Sequence, residues 1–177
     1  QGSIWAADQA KFKPPSRLRI TWFGAASILL DDGEHSILID PFVSRKNNSI
    51  LDIVFGRKAE IDHRLVRERA MKAEYARAKG IFISHSHYDH ILDAPAFAKI
   101  LNIPVYGTPS VKKIVDKYPV RNSNVIEEGH PRLVEDFRVY AIRSDHGNPP
   151  FLWDPLDDEV QDKFRLPASI RAYGRGE

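Results

Sequence analysis

Cysteine is absent from the 177 residues, so the chain forms no disulfide and offers no thiolate to a metal. That absence leaves the compartment open. The first residues, Gln1-Gly2-Ser3, are compatible with a cytoplasmic protein or with one exported after removal of a signal. An excess of one charge is also missing. Lys and Arg number 26 against 24 Asp and Glu, a formal +2, and no basic stripe interleaved with aromatics is visible. Nucleic acid and anionic membrane surfaces are therefore not supported as partners. No apolar run is long enough to span a bilayer. Repeats and low-complexity tracts are lacking too. What remains, 42% hydrophobic and 28% charged residues, suits one globular domain with a substantial core.

Three of the seven histidines fall within six positions, in Ile81-Phe82-Ile83-Ser84-His85-Ser86-His87-Tyr88-Asp89-His90. Ile81 to Ile83 read as a short strand buried on both faces, because the run is apolar without alternation. A helix follows, with Asp93 as its cap and Pro95, Phe97, Ile100 and Leu101 within it. The polar run thus lies in the loop at the carboxyl end of a strand, where open α/β sheets place ligands. Imidazole and carboxylate are the side chains that bind a borderline divalent metal. His85 and His87 are two apart, so an extended backbone turns both to one side. Asp89 and His90 come after the chain begins to turn and face a neighbouring point, which suits two adjacent metals. The competing reading is a polar loop of solvated histidines.

Before this loop, residues 1–16 form an arm in which Trp5 and Phe12 could dock but Pro14-Pro15 breaks regular structure, and residues 17–177 form the domain. Leu18–Phe23 reads as a strand, and Ser27–Leu30 and Ser36–Ile39 as a hairpin turned by Asp31-Asp32-Gly33. Residues 44–79 form an inserted helical segment, with one helix over Glu60–Lys79 presenting Ile61, Leu65, Ala73 and Ala76 near one face. It is either a solvated helix against the body or a pocket wall from which Arg45 or Lys46 contacts an anionic substrate. His63 is a surface residue of that helix. After the metal loop, helix Ala94–Leu101, strand Ile103–Tyr106, helix Ser110–Lys117 and strand Asn124–Ile126 alternate, which argues for a layered α/β fold. Gly129-His130-Pro131 is a turn that puts His130 at the surface. Phe137–Arg143 is a strand that ends at Ser144-Asp145-His146-Gly147, again placing a histidine at a strand end. Phe151 and Trp153, in the Pro-rich stretch 148–167, either line a pocket mouth or cover the core. Arg171–Glu177 has the look of the entry to another strand.

His85-Ser86-His87-Tyr88-Asp89-His90 resembles the signature of the metallo-β-lactamase fold superfamily, a set of mostly metal-dependent hydrolases. Thr21-Trp22-Phe23-Gly24-Ala25-Ala26-Ser27 and Ile37-Leu38-Ile39-Asp40-Pro41-Phe42 are similar to the branch of sugar-phosphate lactonase-like and N-acyl-phosphatidylethanolamine phospholipase D-like proteins, although Ala25 stands where many such relatives carry histidine. The resemblance spans roughly residues 17–147. It implies a four-layer αβ/βα sandwich whose second half, with a bridging Asp and a further His, is missing from this chain. It implies that a carboxy-terminal half, a second fragment or another copy of the chain covers the apolar face left open. It further implies that His85, His87 and His146 hold one ion and that Asp89 and His90 serve a second. Asp40 then lies beneath the site and hydrogen-bonds the loop or a ligand histidine. Zinc is the first expectation for one or two ions, with manganese or iron as alternatives. The implied activity is hydrolysis of a small ester, lactone or phosphodiester by metal-bound hydroxide, with Asp89 orienting the attack and a phosphate-bearing substrate favoured. The alternative is a non-catalytic metal-binding or regulatory member of the same fold.

Overall fold

The computed structural model describes residues 17–45, 58–144, 160, 164–166 and 168–173. Strands β1 (Arg19–Gly24), β2 (Ser27–Asp31) and β3 (Ser36–Ile39) run as an antiparallel meander. The β2–β3 turn is closed by short polar side chains. Asp31 accepts from Gly33 N at 2.8 Å, and Asp32 Oδ1 accepts from Glu34 N at 2.8 Å and His35 N at 2.7 Å. Gly33 supplies the left-handed φ of 101° that the turn requires. From β3 the sheet continues in parallel through β4 (Ala78–Phe82), β5 (Val105–Gly107) and β6 (Ser123–Val125), so spatial order follows chain order. Helices fill the crossovers: α1 (His63–Ala70) and α2 (Ala73–Ala76) before β4, α3 (Tyr88–Ile91) and α4 (Ala94–Leu101) after it, and α5 (Pro109–Val115) after β5. A separate antiparallel pair, β7 (Arg132–Val134) and β8 (Phe137–Val139), follows β6.

The pleat sorts the strand residues onto two faces. Leu29, Leu38, Ile81 and Val105 are register partners in one row and pack with Val66, Tyr75, Phe97 and Ile114 from the helices. Ile37, Phe82 and Tyr106 face the other way, with Val134, Phe137 and Val139 of the second pair against them, and the Phe82 and Tyr106 rings stack at 4.9 Å. Ile81 and Phe82 are thus buried on opposite faces, as the unalternated apolar run implied. Toward β1 the second face is open. Ile20 and Trp22 pair with Leu30 and Ile28, and they are 64% and 69% exposed.

Three sequence expectations are corrected. Glu60–Lys79 is not one helix: Lys72 is extended at φ −72°, ψ 143°, and divides α1 from α2, while Ala78 already begins β4. The inward residues are Val66, Ala70 and Tyr75, whereas Ala73 and Ala76 are exposed. The break lets Tyr75 lie between Phe23 (5.3 Å) and Phe97 (5.6 Å), a contact that outweighs the good helix propensity of this alanine-containing segment. The strand expected over Phe137–Arg143 ends at Val139. Of the strand entry expected over Arg171–Glu177, residues 171–173 belong to a short 3₁₀ turn, Ile170–Tyr173, with Tyr173 buried against Phe164, and residues 174–177 lie outside the described residues. The arm 1–16, residues 46–57 of the insert, and Phe151 and Trp153 lie outside the described residues.

Gly107 gives a direct check on how tightly β5 meets α5. A Cβ there would stand 2.5 Å from Val111 Cγ1 and 2.8 Å from its Cβ, and a β-branched helix residue has little freedom to yield. Gly107→Ala is expected to lower stability by about 1–3 kcal/mol, read as a reduced midpoint in urea denaturation of the full-length protein.

Candidate metal centre

The site is built where β3 and β4, neighbouring parallel strands, end side by side. β4 hands over to a loop, Ser84 to His87, and His87 occupies the cap position of α3 with its carbonyl accepting from His90 N at 3.0 Å and Ile91 N at 3.1 Å. The chain bends at Ser84 and His85, so the expected extended run through both histidines is not kept; His87 is at φ −57°, ψ 145°, and Asp89 and His90 lie on the first helical turn. His85 Nε2 and His87 Nδ1 approach to 2.9 Å. At that distance one ring donates to the other; two imidazoles bound tetrahedrally to one zinc at about 2.0–2.1 Å place their nitrogens roughly 3.3 Å apart, so a small opening of the pair and loss of the shared proton would let both meet one ion. The His85 and His90 ring centroids are 3.9 Å apart, and His90 Nε2 lies 3.9 Å from Asp89 Oδ2. The donors are nitrogen and carboxylate oxygen only, a set that fits a borderline divalent ion.

Asp40 lies directly beneath. Its φ of 44° is left-handed, a conformation that costs a non-glycine residue about 1–3 kcal/mol. The bond from its N–H to Phe82 O at 2.9 Å holds that conformation in place. The buried carboxylate accepts from Ser84 N at 2.8 Å on Oδ1, and from Ser84 Oγ at 2.6 Å and His90 Nδ1 at 2.8 Å on Oδ2. Burial of the His90 ring works against its charge, but the Asp40 hydrogen bond and the negative charges of Asp40 and Asp89 outweigh it and raise its pKa above the usual histidine value.

A second polar knot holds the wall. Asp93, fully buried, accepts from Val43 N at 2.6 Å, Ser44 N at 2.7 Å and Ser44 Oγ at 2.6 Å. Ser44 Oγ in turn accepts from Asp62 N at 2.7 Å, and Asp62 caps α1 through Leu65 N at 3.0 Å. Asp93 stands at the cap position of α4 as expected, but its side chain makes no cap bond and serves this knot instead. Arg45 donates through Nη2 to the carbonyls of Phe23 (2.6 Å) and Phe42 (3.3 Å), and its guanidinium lies against Gly24, which has no Cβ to obstruct it.

Of the residues singled out in the sequence, Asp40, His85, His87, Asp89 and His90 come together. Arg45 is tied to the neighbouring loop. His146, Asp145 and Lys46 lie outside the described residues. His63 and His130 are exposed and take no part. Ser84, Ser44 and the inward role of Asp93 were missed. Ser84 did carry a signal, as the first polar residue after the strand, whereas Ser44 and Asp93 are 49 positions apart and nothing in the sequence joins them.

Among the described residues, three potential metal donors lie within 4.8 Å of one another at Asp32, His35 and Asp136, where the β2–β3 and β7–β8 turns meet, whereas the donors of the Ser84–His90 loop are more widely spaced. Asp32 Oδ1 is already committed to two backbone N–H groups, and His35 Nδ1 lies 3.7 Å from the exposed Asp136. This group joins the two turns.

The sequence model of the Metallo-beta-lactamase superfamily matches residues 20–169. A UPF0173 metal-dependent hydrolase of Archaeoglobus fulgidus is 30% identical over 115 residues, which are 65% of this chain and 41% of that protein. A second, from a Ruegeria species, is 24% identical over 131 residues, covering 74% of this chain and 50% of the relative. The chain thus spans about half the length of the curated relatives it matches. Among solved structures, Igni18, a metallo hydrolase of Ignicoccus hospitalis, aligns with a TM-score of 0.43 at 16% identity over 67% of this chain and 43% of its own.

Proposed function

Because the chain belongs to the metallo-beta-lactamase superfamily, we propose that it carries the metal-binding half of a metal-dependent hydrolase of small esters, lactones or phosphodiesters. The observation that carries this reading is the convergence of His85 Nε2 and His87 Nδ1 at 2.9 Å, with Asp89 and His90 alongside and Asp40 below. His85 and His87 would hold one ion, zinc by its donor set, with His146 as their third imidazole. Asp89 and His90 would serve a second ion. A divalent ion in such a site lowers the pKa of water from about 15.7 to about 7, so that hydroxide is available at neutral pH.

The chain's own groups do the positioning. Asp40 takes the Nδ1 proton of His90 in a 2.8 Å hydrogen bond and thereby turns Nε2 outward toward Asp89. Asp89, partly exposed, offers one carboxylate oxygen as a ligand and the other to orient the attacking water and accept its proton. No serine or cysteine nucleophile is needed. Arg45 spends Nη2 on backbone carbonyls but retains other guanidinium donors at an exposed position five residues after Asp40. With Lys46 it favours an anionic, phosphate-bearing substrate over a neutral one.

The test is elemental analysis of the full-length protein, followed by hydrolysis of a phosphodiester and of a lactone before and after chelation. Stoichiometric metal, and turnover lost on chelation and regained with zinc, are expected. Turnover indifferent to chelation overturns the proposal, and bound metal without turnover on either substrate favours the non-catalytic alternative.

A further inference from the structure

Resting on the metal-site reading above, we infer that Ser84 is a positioning residue that selects which nitrogen of His85 is left bare for the ion. The argument is a count of protons. A serine hydroxyl has one proton to give and two lone pairs that accept. The proton of Ser84 goes to Asp40 Oδ2 at 2.6 Å, the short contact of a hydroxyl on a carboxylate. The same Oγ lies 2.9 Å from His85 Nδ1 and 3.2 Å from His90 Nδ1. With its proton committed to Asp40, Oγ meets both rings as an acceptor. His85 therefore carries its proton on Nδ1, and Nε2, the atom turned toward His87, presents its lone pair. His90 likewise directs its Nδ1 proton to Asp40 and the same oxygen.

One residue thus relays the Asp40 carboxylate to the imidazole of His85, and with Asp40 it fixes the Nδ1 proton of two rings that would serve different ions. Carboxylate support of ligand histidines is a general device. The hydroxyl between carboxylate and ring is what this site adds. The hydroxyl, not the backbone, does the work: Ser84 N donates separately to Asp40 Oδ1 at 2.8 Å, and that bond survives removal of the side chain. Ser84 is exposed, so a threonine methyl has room beside it.

The experiment compares the full-length wild type with Ser84→Ala and Ser84→Thr. Zinc affinity is measured by competition with a chelator, and the imidazole tautomers of the metal-free protein by ¹⁵N NMR. His85 is expected as the Nδ1–H tautomer in wild type and S84T and as a mixture of tautomers in S84A. Zinc affinity should fall about 10–100-fold in S84A and return in S84T. An Nε2–H tautomer for His85 in the wild type overturns the inference whether or not any variant folds. So does zinc affinity that is unchanged in S84A, or lost equally in S84A and S84T. A wild type that takes up no zinc defeats the metal-site reading itself, a failure that the tautomer measurement separates from that of the serine.

Discussion

Replacing His87 by Ala is expected to abolish metal uptake by the full-length protein and to bring hydrolysis down to background. His87 is the most enclosed of the described candidate ligands, 8% exposed, and its Nδ1 lies 2.9 Å from His85 Nε2. Its removal leaves one imidazole of the described pair, and a site short of a donor no longer fixes the ion's geometry. Turnover should fall by several orders of magnitude, because the lowering of the water pKa from about 15.7 to about 7 is lost with the ion. The substitution is selective. The carbonyl of residue 87, which accepts from His90 and Ile91 and starts α3, is unaffected by it, so the turn should persist. Elemental analysis and the two hydrolysis assays check the result, with thermal melting of the metal-free forms as the control for folding. Full retention of either metal or turnover removes His87 from the ligand set.

The metal loop was legible in the sequence because its signals are local. An apolar run makes the strand and the chain turns to helix after His87, although the His90 ring, 3.9 Å from that of His85, is not set apart from the first pair as its place in the sequence implied. The β2–β3 hairpin was legible for the same reason, since Asp32 and Gly33 close it within five residues. The break at Lys72 was not. Nothing in Met71-Lys72-Ala73 opposes helix locally, and the interruption follows from where Tyr75 must pack, a contact with residues more than twenty positions away in either direction. Asp40 was placed by its position after a strand, yet its left-handed backbone and its three hydrogen bonds depend on β4 lying alongside β3. The Ser44–Asp93 knot depends likewise on tertiary proximity, and a residue read as a helix cap turns out to face inward.

That knot sets the second large effect. Asp93→Ala should destabilise the full-length protein by at least about 3 kcal/mol, since it leaves Val43 N, Ser44 N and Ser44 Oγ without their acceptor at roughly 1–3 kcal/mol each. Against a total stability of about 5–15 kcal/mol this is a large fraction. The damage should reach the site as well. Residues 41–45 follow Asp40 directly, and through Ser44 Oγ the same knot holds the start of α1. Asp93→Asn separates the hydrogen bonds from the charge, because the amide oxygen still accepts from the two N–H groups while the NH₂ faces Ser44 Oγ. It should cost less than Ala. The pH dependence gives the sign. Burial raises the Asp93 pKa, the bonds from Ser44 and Val43 pull it back only in part, and the Asp62 charge raises it further, so the net value lies above 3.8. The folded protein then holds that proton more tightly than the unfolded chain. The contribution is complete below 3.8 and is lost as pH rises through the raised folded value. Relative to Asp93→Asn, which does not titrate there, the wild type should lose stability as pH is raised across that window, opposite to the usual trend for a paired carboxylate. Urea denaturation of both proteins at a series of pH values reads the difference, and a wild type that instead gains on Asp93→Asn with rising pH would show that the three donors, not desolvation, govern this carboxylate.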